Sequence, residues 1–389
     1  MSKSKSKRNI AFFTHGNRNI GGGEYFLLEL ITKINREVFN PIVFYSKKNK
    51  VIEQIEKSKI QVVSLKIAND ITSIYRDKVN YGLFSLIKYT YSVFKACFEL
   101  NKKIKYHNVK ILYAHDNLSK IISIPVSKIC DIKTITVCHD QLGNSFIENF
   151  LLTCQKYLFS RVVCVSECVG RSFSKNGKKP DHISVLYGGI DPNKWKCRNN
   201  IEAKNIEIII NTRITLGIIA VFDDVKGHIT LFEAIKIMVK QGVTKFKCYV
   251  VGEGRENQNL REWVNKNNLS EHIIFKGYIT NPFKILNEID ISIVPSLKES
   301  FGMSAVEAMS MKIPVIASAV GGLTEVVEHN VTGILVPPSS PKILADSIIY
   351  LIEKPNLRKK MGIEGRKRVK RLFDIKKNLK KFEDIMLEL

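Results

Sequence analysis

Residues 289–317 begin Ile289-Asp290-Ile291-Ser292-Ile293-Val294-Pro295-Ser296 and continue Leu297-Lys298-Glu299-Ser300-Phe301-Gly302-Met303-Ser304-Ala305-Val306-Glu307-Ala308-Met309. After three intervening residues comes Ile313-Pro314-Val315-Ile316-Ala317. Two short apolar runs bounded by turn residues predict two strands, and the stretch between them predicts a loop leading into a helix. Strand, loop, helix and strand is the repeating unit of a parallel sheet, whose ligands bind outside the carboxyl ends of the strands. The same alternation runs through the whole chain. It predicts strands at 9–14, 39–45, 61–65, 109–114, 133–138, 161–165 and 183–186 in the first half. In the second half it predicts them at 216–222, 247–251, 272–276, 289–294, 313–317 and 333–336. Amphipathic stretches such as 24–34 and 230–241 lie between them, so the fold class is α/β with two similar doubly wound halves.

The two glutamates of the opening stretch, Glu299 and Glu307, stand eight residues apart. On one continuous helix they would be separated by about 12 Å. Glycosidase carboxylates work at about 5–5.5 Å or about 6.5–9.5 Å, so a hydrolytic pair is disfavoured. Carboxylates this far apart suit the two ends of an elongated ligand rich in hydroxyls. The backbone N–H groups of Phe301, Gly302, Met303 and Ser304, at a helix N-terminus between them, suit an anion. Hydroxyls, phosphate and hydroxyls outline a nucleotide sugar.

At 389 residues the chain exceeds the reach of one core, and two domains are expected. Apolar residues make up 44% and charged residues 25%, the balance of a water-facing globular protein. No apolar run reaches the length of a membrane span, and the basic start (Met1 to Arg8) lacks a signal-length apolar core behind it. The eight cysteines form no CxxC pair, which fits reduced, buried thiols and a cytoplasmic setting rather than a zinc site. Net charge is +24, weighted to the first half: 30 Lys+Arg against 14 Asp+Glu in residues 1–190. No nucleic-acid motif accompanies that charge, so nucleic acid is not an expected partner. Peripheral contact with an anionic membrane face is compatible with it. Residues 83–110 are the candidate, with Phe84, Tyr89, Tyr91, Phe94 and Phe98 interleaved with lysines, although a core helix with a lysine tail fits slightly better.

With its flanking strands, the Glu299–Glu307 segment resembles the E-x7-E signature of retaining glycosyltransferases, specifically glycosyltransferase family 4 with its GT-B fold. Ser318-Ala319-Val320-Gly321-Gly322-Leu323-Thr324-Glu325 and Asn330-Val331-Thr332-Gly333-Ile334-Leu335-Val336 continue the pattern. The resemblance implies two Rossmann-like domains facing a cleft. Glu299 would then bind hydroxyls of the donor sugar and Glu307 the ribose, with the 301–304 backbone against the diphosphate. Residues 1–190 would form the acceptor-side domain and 191–365 the nucleotide-sugar domain. The helices of 366–389 would cross back to the first domain. The boundary run Tyr187-Gly188-Gly189-Ile190-Asp191-Pro192 resembles the family's N-G-I/V-D segment, with Gly188 in place of the usual Asn.

Four further pieces carry site chemistry. Gly21-Gly22-Gly23-Glu24 opens the first helix after the first strand, and glycines there let backbone approach a phosphate. It matches the family's G-G-x-E/Q loop, which faces the diphosphate and the acceptor. It is not a dinucleotide fingerprint, so a nicotinamide cofactor is disfavoured. His115 and His139 end strands, and His139 matches the family histidine that contacts the donor sugar. Lys226 in Lys226-Gly227-His228 matches the lysine that neutralises the leaving diphosphate, a fixed cation where charge develops. Gly252 and Arg255 lie in a loop matching those that line the base and diphosphate.

At Val221 the chain departs from the pattern it resembles, since many members of that family carry an arginine there. Either another group such as Arg255 compensates, or donor affinity is weak. The resemblance thus implies a metal-independent hexosyl- or related transferase, without cofactor, moving sugar from a nucleotide-sugar donor to a glycan or lipid-linked acceptor. The setting it suggests is bacterial cell-surface polysaccharide assembly. A sugar-nucleotide epimerase and a degenerate binding protein remain as alternatives.

Overall fold

A computed structural model of the chain describes residues 7–16, 22–67, 83–139, 146–174, 178–195, 213–279 and 281–389. The chain divides into two compact units, one of Met1–Leu186 with Lys377–Leu389 and the other of Tyr187–Lys376. Residues 187–190 and 366–376 therefore group with the second unit.

In the first unit the order is β1 (Arg8–Thr14), α1 (Gly22–Lys33), β2 (Phe39–Tyr45), α2 (Lys50–Lys57) and β3 (Gln61–Ser64). Then come α3 (Leu83–Tyr106), β4 (Ile111–Ala114), α4 (Asn117–Cys130), β5 (Lys133–Cys138) and α5 (Phe146–Leu158). β6 (Arg161–Cys164), α6 (Glu167–Arg171) and β7 (Ile183–Val185) follow. Its seven strands are parallel, in the order β3-β2-β1-β4-β5-β6-β7. Chain direction across the sheet reverses beside β1, so the β1/β4 gap is the switch point where doubly wound sheets hold ligands. Strands buried on both faces read as continuous apolar runs: residues 10–14 of β1 are all buried.

The second unit contains β8 (Ile214–Ile219), a 3-10 turn (Asp224–Lys226), α7 (His228–Lys240), β9 (Phe246–Val251), α8 (Asn257–Lys266), β10 (Ile273–Gly277) and α9 (Pro282–Leu286). It continues through β11 (Ile291–Val294), α10 (Met303–Ser310), β12 (Val315–Ser318), α11 (Leu323–Val326), β13 (Gly333–Val336), α12 (Pro341–Glu353) and α13 (Pro355–Leu372). Its parallel order β10-β9-β8-β11-β12-β13 repeats the first unit's plan, with the switch point between β8 and β11. Phe222, Phe232, Phe246, Ile235 and Ile348 fill the core between sheet and helices. Each such side chain contributes roughly 1.5–3 kcal/mol by leaving water.

The last helix, α14 (Ile375–Leu387), packs within the first unit. Phe382 is fully buried there, edge-on to Tyr113 at 6.0 Å and to Phe26 at 6.4 Å. The Asn35 amide donates to Glu383 Oε1 at 2.6 Å, and Arg161 pairs with Glu388 at 2.8 Å.

Within the second unit, Ile190 bridges Asp374, and the Arg366 guanidinium donates to the carbonyls of Trp195 (2.7 Å), Pro192 (3.1 Å) and Ser310. Gly188 has a physical reason for its size. A Cβ there would stand 2.9 Å from the Phe301 ring, which occupies the room an asparagine would need.

Candidate active site

In the second unit the loops after β8 and after β11 flank the switch point. Asp223 caps the 3-10 turn by accepting from the Val225 amide at 3.2 Å, which places Lys226 at the turn's last position. Gly227 then adopts φ +69, and a Cβ on it would lie 1.9 Å from the Pro295 carbonyl oxygen. Only glycine lets the lysine loop close this tightly on the end of β11. The Leu297 amide donates to the Val225 carbonyl at 2.8 Å, tying the two loops by backbone. That closure brings Lys226 Nζ to 2.7 Å from Glu299 Oε2, both side chains mostly shielded. Ser296, fully buried, adds its hydroxyl to the same carboxylate oxygen at 3.4 Å.

Glu299 does not lie on the helix with Glu307. The helix α10 starts at Met303, and Gly302 before it adopts φ +102, where a Cβ would stand 2.5 Å from Leu323 Cδ2. The separation expected for one continuous helix therefore does not apply. Gly302 supplies no side-chain cap, so the first amides of α10, those of Met303 and Ser304, have no side-chain acceptor. Gly322 backs the turn closely: a Cβ on it would meet the Ser300 carbonyl oxygen at 2.3 Å, and its amide donates to the Glu299 carbonyl at 3.0 Å. The Phe301 ring is buried, stacked on Tyr187 (centroids 6.0 Å) and edge-on to Phe373 (5.5 Å). Its ring is core, leaving only its backbone for a ligand. Burial pushes the Glu307 carboxyl up to about 7.

Gly252, at φ +143, brings its backbone against β8, with a would-be Cβ 1.9 Å from the Ala220 carbonyl oxygen. Backbone bonds between Phe222 and Glu253 (3.0 Å) and between Glu256 and Phe222 (3.2 Å) hold this loop beside the Lys226 turn. Arg255 reaches from it to Asp223 at 3.4 Å and Asp224 at 3.5 Å, its side chain 66% exposed. Val221 is itself exposed. Sequence reading did not single out His228. It is buried edge-on to Phe222 at 5.1 Å, and neither ring nitrogen has a partner among the described residues. Burial and then Lys226 push it down to about 4, so it is neutral at physiological pH.

In the first unit the described residues that directly follow β1, β4 and β5 lie at the carboxyl end of the sheet. Asp116 links two of them. Its carboxylate accepts from the Thr14 hydroxyl at 3.0 Å and the His15 amide at 2.5 Å, while also capping α4 through Ser119. His115 is buried, its Nδ1 3.3 Å from the Tyr113 hydroxyl, and its ring lies edge-on to His139 at 6.0 Å. A Cβ on Gly23 would stand 3.5 Å from His139 Nε2, so the first turn of α1 runs directly against the imidazole. His139 Nε2 is buried without a partner among the described residues. Burial first, then His115 and Lys120, push its pKa down to about 3, which keeps it neutral. Gly22 opens α1, while Gly21 lies outside the described residues.

The structure thus brings Lys226 and Glu299 into contact, with Arg255 held beside the Lys226 turn. It separately brings Gly23, His115 and His139 together. Ser296 and Gly322 lie in stretches the sequence reading quoted, but their contacts with the Glu299 loop escaped it. Serine before a loop and a second glycine in a Gly-Gly pair carry no signal until their partners are known.

Comparison with known proteins bears on the family and the fold. A model described as "Glycosyltransferase Family 4" matches residues 20–194, and one described as "Glycosyl transferases group 1" matches residues 199–368. The N-acetyl-alpha-D-glucosaminyl L-malate synthase of Bacillus anthracis is 25% identical over 82% of this chain and 84% of its own length. The capsular polysaccharide biosynthesis glycosyltransferase CapM of Staphylococcus aureus is 26% identical over 54% of this chain and 57% of its own length. Among solved structures, Anabaena HepE in complex with UDP-glucose superposes with a TM-score of 0.80 at 20% identity, covering 98% of this chain and 100% of that one, a likeness of fold. With one model on each half, the two together running from residue 20 to residue 368, the chain belongs to the family 4, group 1 glycosyltransferases and has their GT-B fold of two Rossmann-like units.

Proposed function

We propose that this glycosyltransferase moves a sugar, with retention and without a metal ion, from a nucleotide-sugar donor to a hydroxyl of a glycan or lipid-linked acceptor. The setting is bacterial cell-surface polysaccharide assembly at the cytoplasmic side of the membrane. The observation that carries the reading is the Lys226–Glu299 pair at the switch point of the second unit. Without a donor the lysine and the carboxylate neutralise each other. A bound donor would divide them, its diphosphate taking the ammonium and its sugar hydroxyls donating to the carboxylate. The uncapped amides of Met303 and Ser304 suit the diphosphate, and Glu307 one turn further on suits the ribose. In this reading Arg255, tied to Asp223 and Asp224, stands in for the arginine that many family members carry at 221.

The role of His139 follows the family pattern. Its neutral imidazole, with a free buried Nε2, can exchange a hydrogen bond with a sugar hydroxyl. By the same resemblance the acceptor attacks from the face the diphosphate leaves. The new glycosidic bond forms as the sugar–phosphate bond breaks, and the acceptor proton passes to the departing phosphate.

UDP-sugars are the first donors to test, since the HepE structures hold UDP and UDP-glucose. Thermal shift against UDP-, GDP-, ADP- and CMP-sugars should give one responder, because ligand at 100 times its dissociation constant adds about 2.7 kcal/mol. No shift with any of them would sink the donor reading. Val221 favours one alternative, a binding protein that keeps the fold without turnover. Donor stabilisation with no nucleotide release in the presence of lipid-linked acceptors would select it.

A further inference from the structure

The helix α3 has two faces. Ala96, Cys97, Leu100 and Ile104 pack into the first unit's core, while Tyr91, Phe94 and Phe98 are 67%, 71% and 66% exposed. At 100° per residue, Tyr91, Phe94, Phe98, Lys102 and Lys105 fall on one outward stripe about 21 Å long. The stripe is aromatic at its start and basic at its end. A solvated helix face has no use for three exposed aromatic rings in register.

The basic end opens onto a cavity of about 510 Å³ at the amino ends of β1, β4 and β5, opposite the carboxyl-end loops that hold His115 and His139. Arg8, Lys105, Lys110 and Lys133 line it together with Ile104, Ile111 and Ile132, Asp131 is its one acidic side chain, and Leu389 also borders it. Among the described residues no carboxylate side chain pairs with those three lysines. A lining of cations and apolar side chains, continued by the exposed rings of the helix, fits a ligand that is anionic at one end and hydrocarbon at the other.

We infer that the outer face of α3 and this cavity form a docking surface for a bilayer of anionic phospholipid, with the rings in the acyl boundary and the cations on headgroup phosphates. Charge complementarity selects this occupant. A second copy of a chain carrying +24 would bring like charge against these cations. The inference goes beyond the transfer reading and does not depend on it. A protein that binds vesicles but no nucleotide sugar would sink that reading and leave this one standing.

The test is flotation of the full chain with vesicles of phosphatidylcholine alone or with about 30% phosphatidylglycerol, at about 0.1 M salt. Binding is expected only to the anionic vesicles. Tyr91→Ser/Phe94→Ser/Phe98→Ser and, separately, Lys105→Glu/Lys110→Glu/Lys133→Glu should each cut the bound fraction by more than about tenfold. All six positions are surface ones, so melting temperature serves as the control that both variants fold. Absence of binding to the anionic vesicles, or binding that neither variant changes, overturns the proposal. So does binding lost with the lysines alone, which would mark diffuse charge attraction, and so does single-stranded RNA that displaces the vesicles through the same rings and lysines.

Discussion

Lys226 and Glu299, 73 positions apart in sequence, meet at 2.7 Å because Gly227 lets the lysine loop close on the end of β11. Both are mostly shielded from water, so removing one takes a close counter-charge from the other. Lys226→Ala should lower turnover by roughly 10²–10³, the loss typical of a group that stabilises developing charge. In a double-mutant cycle with Glu299→Gln the losses should be non-additive by more than about 0.5 kcal/mol. Additive losses, measured as nucleotide release, would mean that the pair does not act together.

Gly227 itself should tolerate no side chain. Gly227→Ala combines a left-handed backbone with a Cβ 1.9 Å from the Pro295 carbonyl. A cost of about 1–3 kcal/mol is expected, read as a lower denaturation midpoint. Gly242, also at positive φ (+80) but with nothing near its Cβ, is the control. Gly242→Ala should cost clearly less, and equal costs would show that the contact with Pro295 does not matter.

Gly23 offers a milder case. Its would-be Cβ stands at ordinary contact distance, 3.5 Å, from His139 Nε2, so Gly23→Ala should fold normally. Gly23→Leu would occupy the imidazole's free nitrogen. Turnover should fall more than about tenfold, a loss of at least about 1.4 kcal/mol in transition-state stabilisation, with little change in melting temperature. Full activity in Gly23→Leu would remove His139 from the reaction.

The Glu307 carboxyl sits near 7 in the folded chain against an ordinary value near 4.5. A raised carboxyl pKa means the folded state holds the proton more tightly. Its stabilising contribution is complete below about 4.5 and is lost as pH rises through about 7. Glu307→Gln, which mimics the protonated form, should therefore melt higher than the wild type at pH 8 and no differently at pH 4.5. Donor affinity should move oppositely in the wild type, strengthening from pH 6 to pH 8 as the carboxylate forms to accept ribose hydroxyls. A pH-independent affinity would place the ribose elsewhere.

Most strands were legible to within a residue or two because parallel strands buried on both faces are continuous apolar runs between turn residues, as at 39–45 and 133–138, whereas the strand expected at 216–222 runs from Ile214 to Ile219. The lysine loop and the Glu299 loop were legible as letters in a family pattern. What the letters could not show was who meets whom. The Phe301 ring reads like part of a binding loop, yet it stacks on Tyr187 and meets Phe373 edge-on, partners more than seventy residues away in either direction. Arg255 reads as a lone cation, but Asp223 and Asp224 hold it. Both outcomes depend on loop closure, which periodicity along a chain does not encode. In α3, by contrast, sequence offered a core helix and a surface helix as rivals. The structure makes it both, one on each face.

The return of α14 to the first unit has a consequence for the order in which the protein can be made. Phe382 completes a cluster with Phe26 and Tyr113, and the whole of the second unit is synthesised before it. Domains usually fold as they leave the ribosome, the N-terminal one first. Here the second unit has its entire sequence available while the first still lacks a wall of its core. The earlier-made half must wait for the later one, holding Phe26 and Tyr113 incompletely covered until the final helix arrives.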